Sequence, residues 1–184
     1  MKYCLRVLLM ALLVLGFAIP GFNKAEAAKI AVLPLAMQEQ DDTASRVWIE
    51  GCMKIFKFPE YDMVDDAAMD KALKEVNYAQ AGKQGPSEEL LKAVMEKTGA
   101  KMAVMMTLDE LSMEPIRPEM YEEYYKLVQR TRIMFVNNIT GTKKAHRVND
   151  SDEVEYAIIV RSDYMHDQFR NTVIRELKKI TKSK

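Results

Sequence analysis

The sequence predicts an α/β (α+β) fold built on a single mixed β-sheet. The first half of the sheet is parallel with helical crossovers, the second half is an antiparallel meander, and a C-terminal helix packs on the sheet. Three observations predict it. Met102 to Leu108 (Met-Ala-Val-Met-Met-Thr-Leu) is an unbroken run with one hydroxyl, the pattern of a strand covered by helices on both faces. Just before it, Leu90, Leu91, Val94 and Met95 recur at helical spacing between an N-cap at Ser87 and a stop at Gly99. Further on, Lys126 to Val136 alternates like a strand and runs into Asn137 to Thr142, a hairpin signal in which Gly141 takes positive φ.

The chain opens like an exported protein. Lys2 and Arg6 precede an apolar run from Val7 to Ile19, broken by Pro20 and Gly21, and Ala25-Glu26-Ala27 puts small residues where a signal peptidase reads. That run is shorter than the roughly 20 residues of a spanning helix. The expectation is a signal peptide over residues 1–27, cleaved near Ala27/Ala28, and one α/β envelope domain over 28–184; an uncleaved anchor is the alternative. Cys4 precedes the apolar run, so no lipoprotein cysteine stands at the cleavage point. Three of the 27 basic residues (Lys2, Arg6, Lys24) and one of the 27 acidic residues (Glu26) lie in the leader, so the remainder has a formal charge of −2. Near-neutrality gives no electrostatic reason to expect nucleic acid or an acidic membrane surface as partner. Cys52 is then the single remaining thiol and belongs in the core, since no intramolecular disulfide is available to it.

Taken in order, Lys29 to Leu35 reads as the first strand, ending at or near Pro34. A helix follows from about Ala44 to Phe56, with Val47, Trp48, Gly51, Cys52 and Ile55 on one side. Phe58-Pro59-Glu60 is a turn and Tyr61 to Val64 a short strand. The next helix takes Asp66 as its cap and turns Met69, Ala72, Leu73 and Val76 inward. Asn77 to Pro86 is Gly-, Gln- and Ala-rich and reads as a flexible connection. After Leu108 an extended segment stops at Pro115 and Pro118. Lys143 to Asn149 returns as a polar strand, and Glu153 to Val160 is a strand or the lead-in to a helix. The last helix starts at a cap on Asp163, with Phe169, Val173, Ile174, Leu177 and Ile180 as its stripe and Lys178, Lys179 and Lys182 in its last turns.

Chemistry is sparse. A triad needs a nucleophile, a base and an orienting acid, and His146 and His166 are the only imidazoles. His146 sits among Lys143, Lys144 and Arg147. His166 bonds Asp163 or Asp167 at a helix end, or serves a small hydrolase as a base with one of those acids; the second reading is the alternative function. The Asp62, Asp65, Asp66 trio reads as a strand end and helix cap rather than a cation site. Gly82 and Gly85 lack the Gly-Lys-Ser/Thr ending of a phosphate loop. No catalytic, cofactor-binding or metal-binding residue is assigned, and no cofactor. The candidate partner-binding residues are Tyr121, Tyr124 and Tyr125, apolar bodies with polar tips, and the basic Lys143, Lys144 and Arg147. Tyrosines are equally ordinary strand residues, and the favoured reading of the basic cluster is a solvated hairpin whose lysines discourage edge-to-edge pairing, ahead of contact with an anionic envelope polymer. A carrier of a small ligand in a Met-lined cavity is a third reading.

The opening Lys29-Ile-Ala-Val-Leu-Pro-Leu, the helix leading into Tyr61-Asp-Met-Val-Asp, and Thr98-Gly-Ala-Lys-Met-Ala-Val-Met-Met-Thr-Leu resemble a group of bacterial envelope domains. The group includes the amino-terminal domain of the Tol-Pal protein TolB, the curli secretion channel CsgG and the LpoB-type activators of penicillin-binding proteins. The resemblance covers Lys29 to Leu111, and the turn at Thr140-Gly141 matches the group's Thr-Gly. It rests on core residues. It implies a non-enzymatic adaptor, periplasmic or secreted, acting by protein–protein contact in envelope assembly or secretion. The implied partner is an envelope protein of unstated identity, with no nucleic acid and no stable membrane insertion after signal cleavage; a homo-oligomer is compatible with it. The lipoprotein cysteine of the activators and the channel, and the propeller that follows the Tol-Pal domain, are missing here. Membrane anchoring and pore formation therefore do not carry over.

Overall fold

A computed structural model describes residues 27–116, 124–155 and 163–182. Three parallel strands, β1 (Ala28–Val32), β3 (Tyr61–Met63) and β4 (Met102–Pro115), continue into two antiparallel ones, β5 (Tyr124–Asn137) and β6 (Thr142–Glu155). Their order is β3-β1-β4-β5-β6, and a two-residue β2 (Ala36–Met37) pairs with β4 at Thr107 and Leu108. This is the mixed sheet the sequence predicts, parallel first and meandering second.

Successive strand residues point to opposite faces, so each strand feeds two cores. On one face Ile30, Val32, Met102, Val104, Met106, Ile133 and Phe135 meet helix α1 (Asp42–Ile55) and helix α5 (Tyr164–Thr181) through Val47, Trp48, Cys52, Phe169, Val173 and Leu177. On the other, Ala31, Leu33, Ala103, Met105 and Val136 meet α2 (Asp66–Glu75) and α4 (Glu88–Thr98) through Met69, Ala72, Leu91 and Val94. Trp48 is fully buried, and its indole N–H donates to the Leu33 carbonyl at 2.8 Å, a bond that fixes the end of the first strand beside Pro34.

Several boundaries differ from the sequence reading, each for a local reason. The first strand ends at Val32, and the chain resumes as β2 after Pro34. Helix α1 begins at Asp42, two residues before the expected start at Ala44, because the Asp41 carboxylate accepts the Ala44 N–H at 2.9 Å. The cap of α2 is Asp65, which has extended backbone and accepts the Ala68 N–H; Asp66 is already helical. Asn77 to Pro86 is built rather than loose: it holds a one-turn helix α3 (Tyr78–Ala81) and a 3₁₀ turn (Gly82–Gln84). The Tyr78 hydroxyl donates to the Pro34 carbonyl, a tertiary anchor that local composition does not announce. β4 is one strand of fourteen residues with a register shift between Leu108 and Glu110, so the extended segment after Leu108 belongs to it. The turn from β5 to β6 carries Gly141 at φ 67°, as predicted. Asp163 precedes α5 but makes no capping bond with its side chain. Glu153 to Glu155 is strand, while 156–160 lies outside the described residues.

Helices α1 and α5 touch most closely at Gly51, where an added Cβ would stand 2.5 Å from Val173 Cγ1. Gly51→Ala is expected to destabilise the fold by about 1–3 kcal/mol through overpacking, read as a lower midpoint in urea. Val173→Ala in the same chain should return part of the loss.

Candidate functional site

The residues proposed from sequence as a contact surface are not brought together. Tyr121 lies outside the described residues. Tyr124 and Tyr125 open β5 half-buried, opposite Glu155 and Val154, at the far end from the β5–β6 turn. On β6 alternation divides the basic cluster. Lys143 and Arg147 share one face with α4, and Lys143 pairs with Glu88. Lys143 and Lys92 together hold the Glu88 carboxyl down to about 2. Lys144 is on the other face, where its ammonium donates to the carbonyls of Lys179 and Lys182 at the end of α5.

His166 occupies the first turn of α5 with its side chain 14% exposed. Its Nδ1 lies 2.7 Å from Asp163 and its Nε2 2.8 Å from Asp41, the same aspartate that caps α1. Two acceptors on two ring nitrogens call for the imidazolium, since neutral histidine donates only once. Burial works against that charge, but the Asp41 and Asp163 carboxylates outweigh it and raise the His166 pKa above its ordinary value. Asp41 is likewise opposed by burial, and the Ala44 N–H and His166 bring its carboxyl below the usual range. Of the two acids named from sequence, Asp163 makes the contact; Asp167 turns to Arg170. Asp41, 125 residues away, carried no signal beyond its suitability as a cap. Both ring nitrogens are taken up by carboxylates, so the arrangement is a latch between the two helices.

His146 joins a second network that the sequence did not suggest. Glu176 sits within the apolar stripe of α5 and is 2% exposed. It accepts from Lys179 at 2.7 Å and Arg175 at 3.0 Å, and lies 3.1 Å from His146 Nδ1. Burial disfavours its charge, and these three partners reverse that and lower its pKa. Arg175 reaches on to Asp150 at 2.7 Å, which ties the helix to β6. Cys52 is fully buried, and burial pushes its thiol well up, away from reactivity.

An open groove of about 540 Å³ lies between the loop after β2 and the middle of β4, with Glu39, Asp41, Asp42, Asp109 and Glu110 on its walls. Beside it Arg132 holds Asp109 through its Nε at 2.7 Å and donates to the Gln84 carbonyl. Among the described residues no three His, Cys, Asp or Glu side chains converge as a metal site, and no helix is long and apolar enough to cross a membrane.

No family model and no curated protein sequence matches the chain. Among solved structures it is similar to the lipoprotein GNA1162 from Neisseria meningitidis, at 10% identity over 83% of this chain and 99% of that one, with a TM-score of 0.49. The hypothetical protein CT253 from Chlamydia trachomatis is similar at 8% identity over 84% and 97% of the two chains, with a TM-score of 0.46. The LpoB C-terminal domain from Salmonella enterica is similar at 8% identity over 68% and 84%, with a TM-score of 0.39, and belongs to one of the groups named in the sequence resemblance.

The His166 latch gives stability a definite pH dependence. A histidine raised above 6.5 contributes fully below that value and loses its contribution as pH rises through the raised value. Asp41, lowered from 3.8, contributes above that value and fails as pH falls through its depressed value. The stability difference between the natural chain and His166→Gln, measured by urea unfolding, should therefore be larger at pH 5 than at pH 9. Asp41→Asn, which keeps an acceptor for the helix cap, should show the same pH dependence as His166→Gln.

Proposed function

We propose that this chain is a non-enzymatic binding module of the bacterial cell envelope, periplasmic or secreted, which acts by protein–protein contact in envelope assembly or secretion. The observation that supports this most directly is the three-stranded wing formed by β4, β5 and β6. Each strand has fourteen residues, about 45 Å of extended chain. Beyond Leu108 the residues of β4 pass from buried to half-buried and then exposed, and β6 is mostly exposed along its outer half. β6 is the last strand in the sheet order, so its outer edge offers backbone groups and alternating side chains, the geometry used to receive another chain. The leader-like first 27 residues support an envelope location. Both imidazoles and the Cys52 thiol have structural contacts that account for them, as a latch, a network member and a core side chain.

The partner is an envelope protein met by the wing, at whose far end Tyr124 and Tyr125 stand. Site-specific photo-crosslinking in cells tests this. A crosslinker at Asn149 or Glu153, both exposed on β6, should give one discrete adduct, and one at Lys71 on α2 should give none. The adduct should weaken several-fold when Tyr121→Ala and Tyr125→Ala are added. Equal labelling from Lys71, or no adduct from either β6 position, would refute the surface.

A further inference from the structure

A net charge of zero conceals a separation of charge along the sheet. β1, β3 and β4 begin at one end, in register at Ala28↔Tyr61 and Ile30↔Met102, and the β5–β6 turn arrives there because Met102 pairs with Asn137. A row of backbone hydrogen bonds closes that end. Ala28 N–H donates to Glu60 at 3.1 Å, Lys101 N–H to Lys29 at 2.9 Å, and Asn138 N–H to Lys101 at 2.9 Å. Three helices also finish there. Past α1, the Lys57 carbonyl accepts from Tyr61 N–H at 3.0 Å; the Thr98 carbonyl of α4 accepts from Lys29 Nζ at 3.1 Å; α5 ends on Lys144.

Lys54, Lys57, Lys101, Lys178 and Lys182 stand exposed at this end and make no ion pair among the described residues. Acids stand there too: Glu60, Asp62 opposite Lys29, Glu96, and Glu75, which pairs with Lys97 at 3.0 Å. The attraction of cations to helix C-termini explains the lysines alone. It does not explain Phe58, 80% exposed, Ile139 at 61% and Met53 at 58%, the three most exposed large apolar side chains described. Ile139 overhangs a groove of about 840 Å³ that Lys92 and Lys101 also line.

We propose that this end of the sheet docks on an anionic bilayer surface, with Phe58, Ile139 and Met53 entering the headgroup layer and the lysines facing lipid phosphates. Ammonium groups around exposed apolar tips are the composition that binds such an interface. A purely anionic polymer would leave the apolar tips without reward. Toward the other end of the strands Asp109 and Glu110 are held by Arg132 and Arg130, and the acids that make no ion pair among the described residues are Glu39 and Asp42 on the groove and Glu153 and Glu155 on β6; their charge favours turning the lysine end to a negative surface. Near-neutral composition gives no reason to expect a membrane surface; the distribution of the charges does.

The test uses the chain from Ala28 onward, as the expected cleavage leaves it, with an environment-sensitive dye on Ile139→Cys, or on Glu153→Cys near the other end of the sheet. Vesicles rich in phosphatidylglycerol should shift the dye at 139 to the blue and leave the dye at 153 unchanged, and high salt should reverse the shift. Each lysine near such a surface is worth about fivefold in partitioning, so Lys54→Gln, Lys57→Gln and Lys178→Gln together should weaken binding about a hundredfold. Circular dichroism confirms that the variants are folded. An equal shift on phosphatidylcholine vesicles, a shift at both dye positions, or binding unchanged in the triple variant overturns the proposal. A shift at 139 produced by polyphosphate, or by concentrating the protein alone, also overturns it. The wing tip lies at the far end of the sheet, so contact with a protein partner there can fail or stand separately.

Discussion

The fold depends on the need to cover β4 on both faces. From Met102 to Leu108 every residue is buried, with Ala103, Val104, Met105 and Met106 at 0% exposure. Burial of a Val or Met side chain is worth about 1.5–3 kcal/mol, so a helix layer missing from either face would forfeit most of the stability of the domain. α1 and α5 supply one cover, α2 and α4 the other. The strand's two ends then have different fates. The buried half is the centre of a parallel arrangement, and the half beyond the register shift at Asp109 leaves the helices and becomes part of the wing.

Helix α5 is the element with most to gain from specific contacts, since it arrives from the far end of the chain. Its apolar stripe would pack at more than one rotation or axial offset. Two polar networks remove that freedom. His166 pins its first turn to the cap of α1, and Glu176 pins its fourth turn to β6 through His146 and to its own neighbours Arg175 and Lys179. A buried carboxylate is costly by itself; Arg175 and Lys179 travel with the helix, and His146 on β6 is the partner that Glu176 meets at one position of the helix. The two imidazoles of the chain are thereby explained by packing.

Much of this was legible in the sequence because it rests on local periodicity. The Ser87 cap, the Gly99 stop, the apolar run of β4, the Gly141 turn and the stripe of α5 each need only a dozen neighbouring residues to be recognised. What escaped was set by distant partners. Asp41 acquires its second role from a histidine far along the chain, Tyr78 orders a Gly- and Gln-rich segment by reaching Pro34, and Glu176 gains from β6 the His146 that joins Lys179 and Arg175 of its own helix. The basic cluster at 143–147 was visible as composition, but a strand's period of two separates its members onto two faces.

The same topology accounts for the uneven charge. A helix that returns a chain to the start of a parallel strand runs against that strand, so its C-terminus lies where the strands begin. Carbonyl ends of α1 and α4 therefore gather at one end of the sheet, and α5, though it is no crossover, lies alongside α1 in the same direction, as its contacts at Asp41 and Gly51 require. Lysine is the favoured residue at each such end and aspartate or glutamate at each beginning. Repeated over three helices, a preference of a few tenths of a kcal/mol at each terminus turns a chain of balanced composition into one with a positive end and a negative flank. The helix dipole accounts for the sign of that end. It does not account for Phe58 and Ile139 left in water among the ammonium groups, and these apolar tips match a surface that is both charged and greasy.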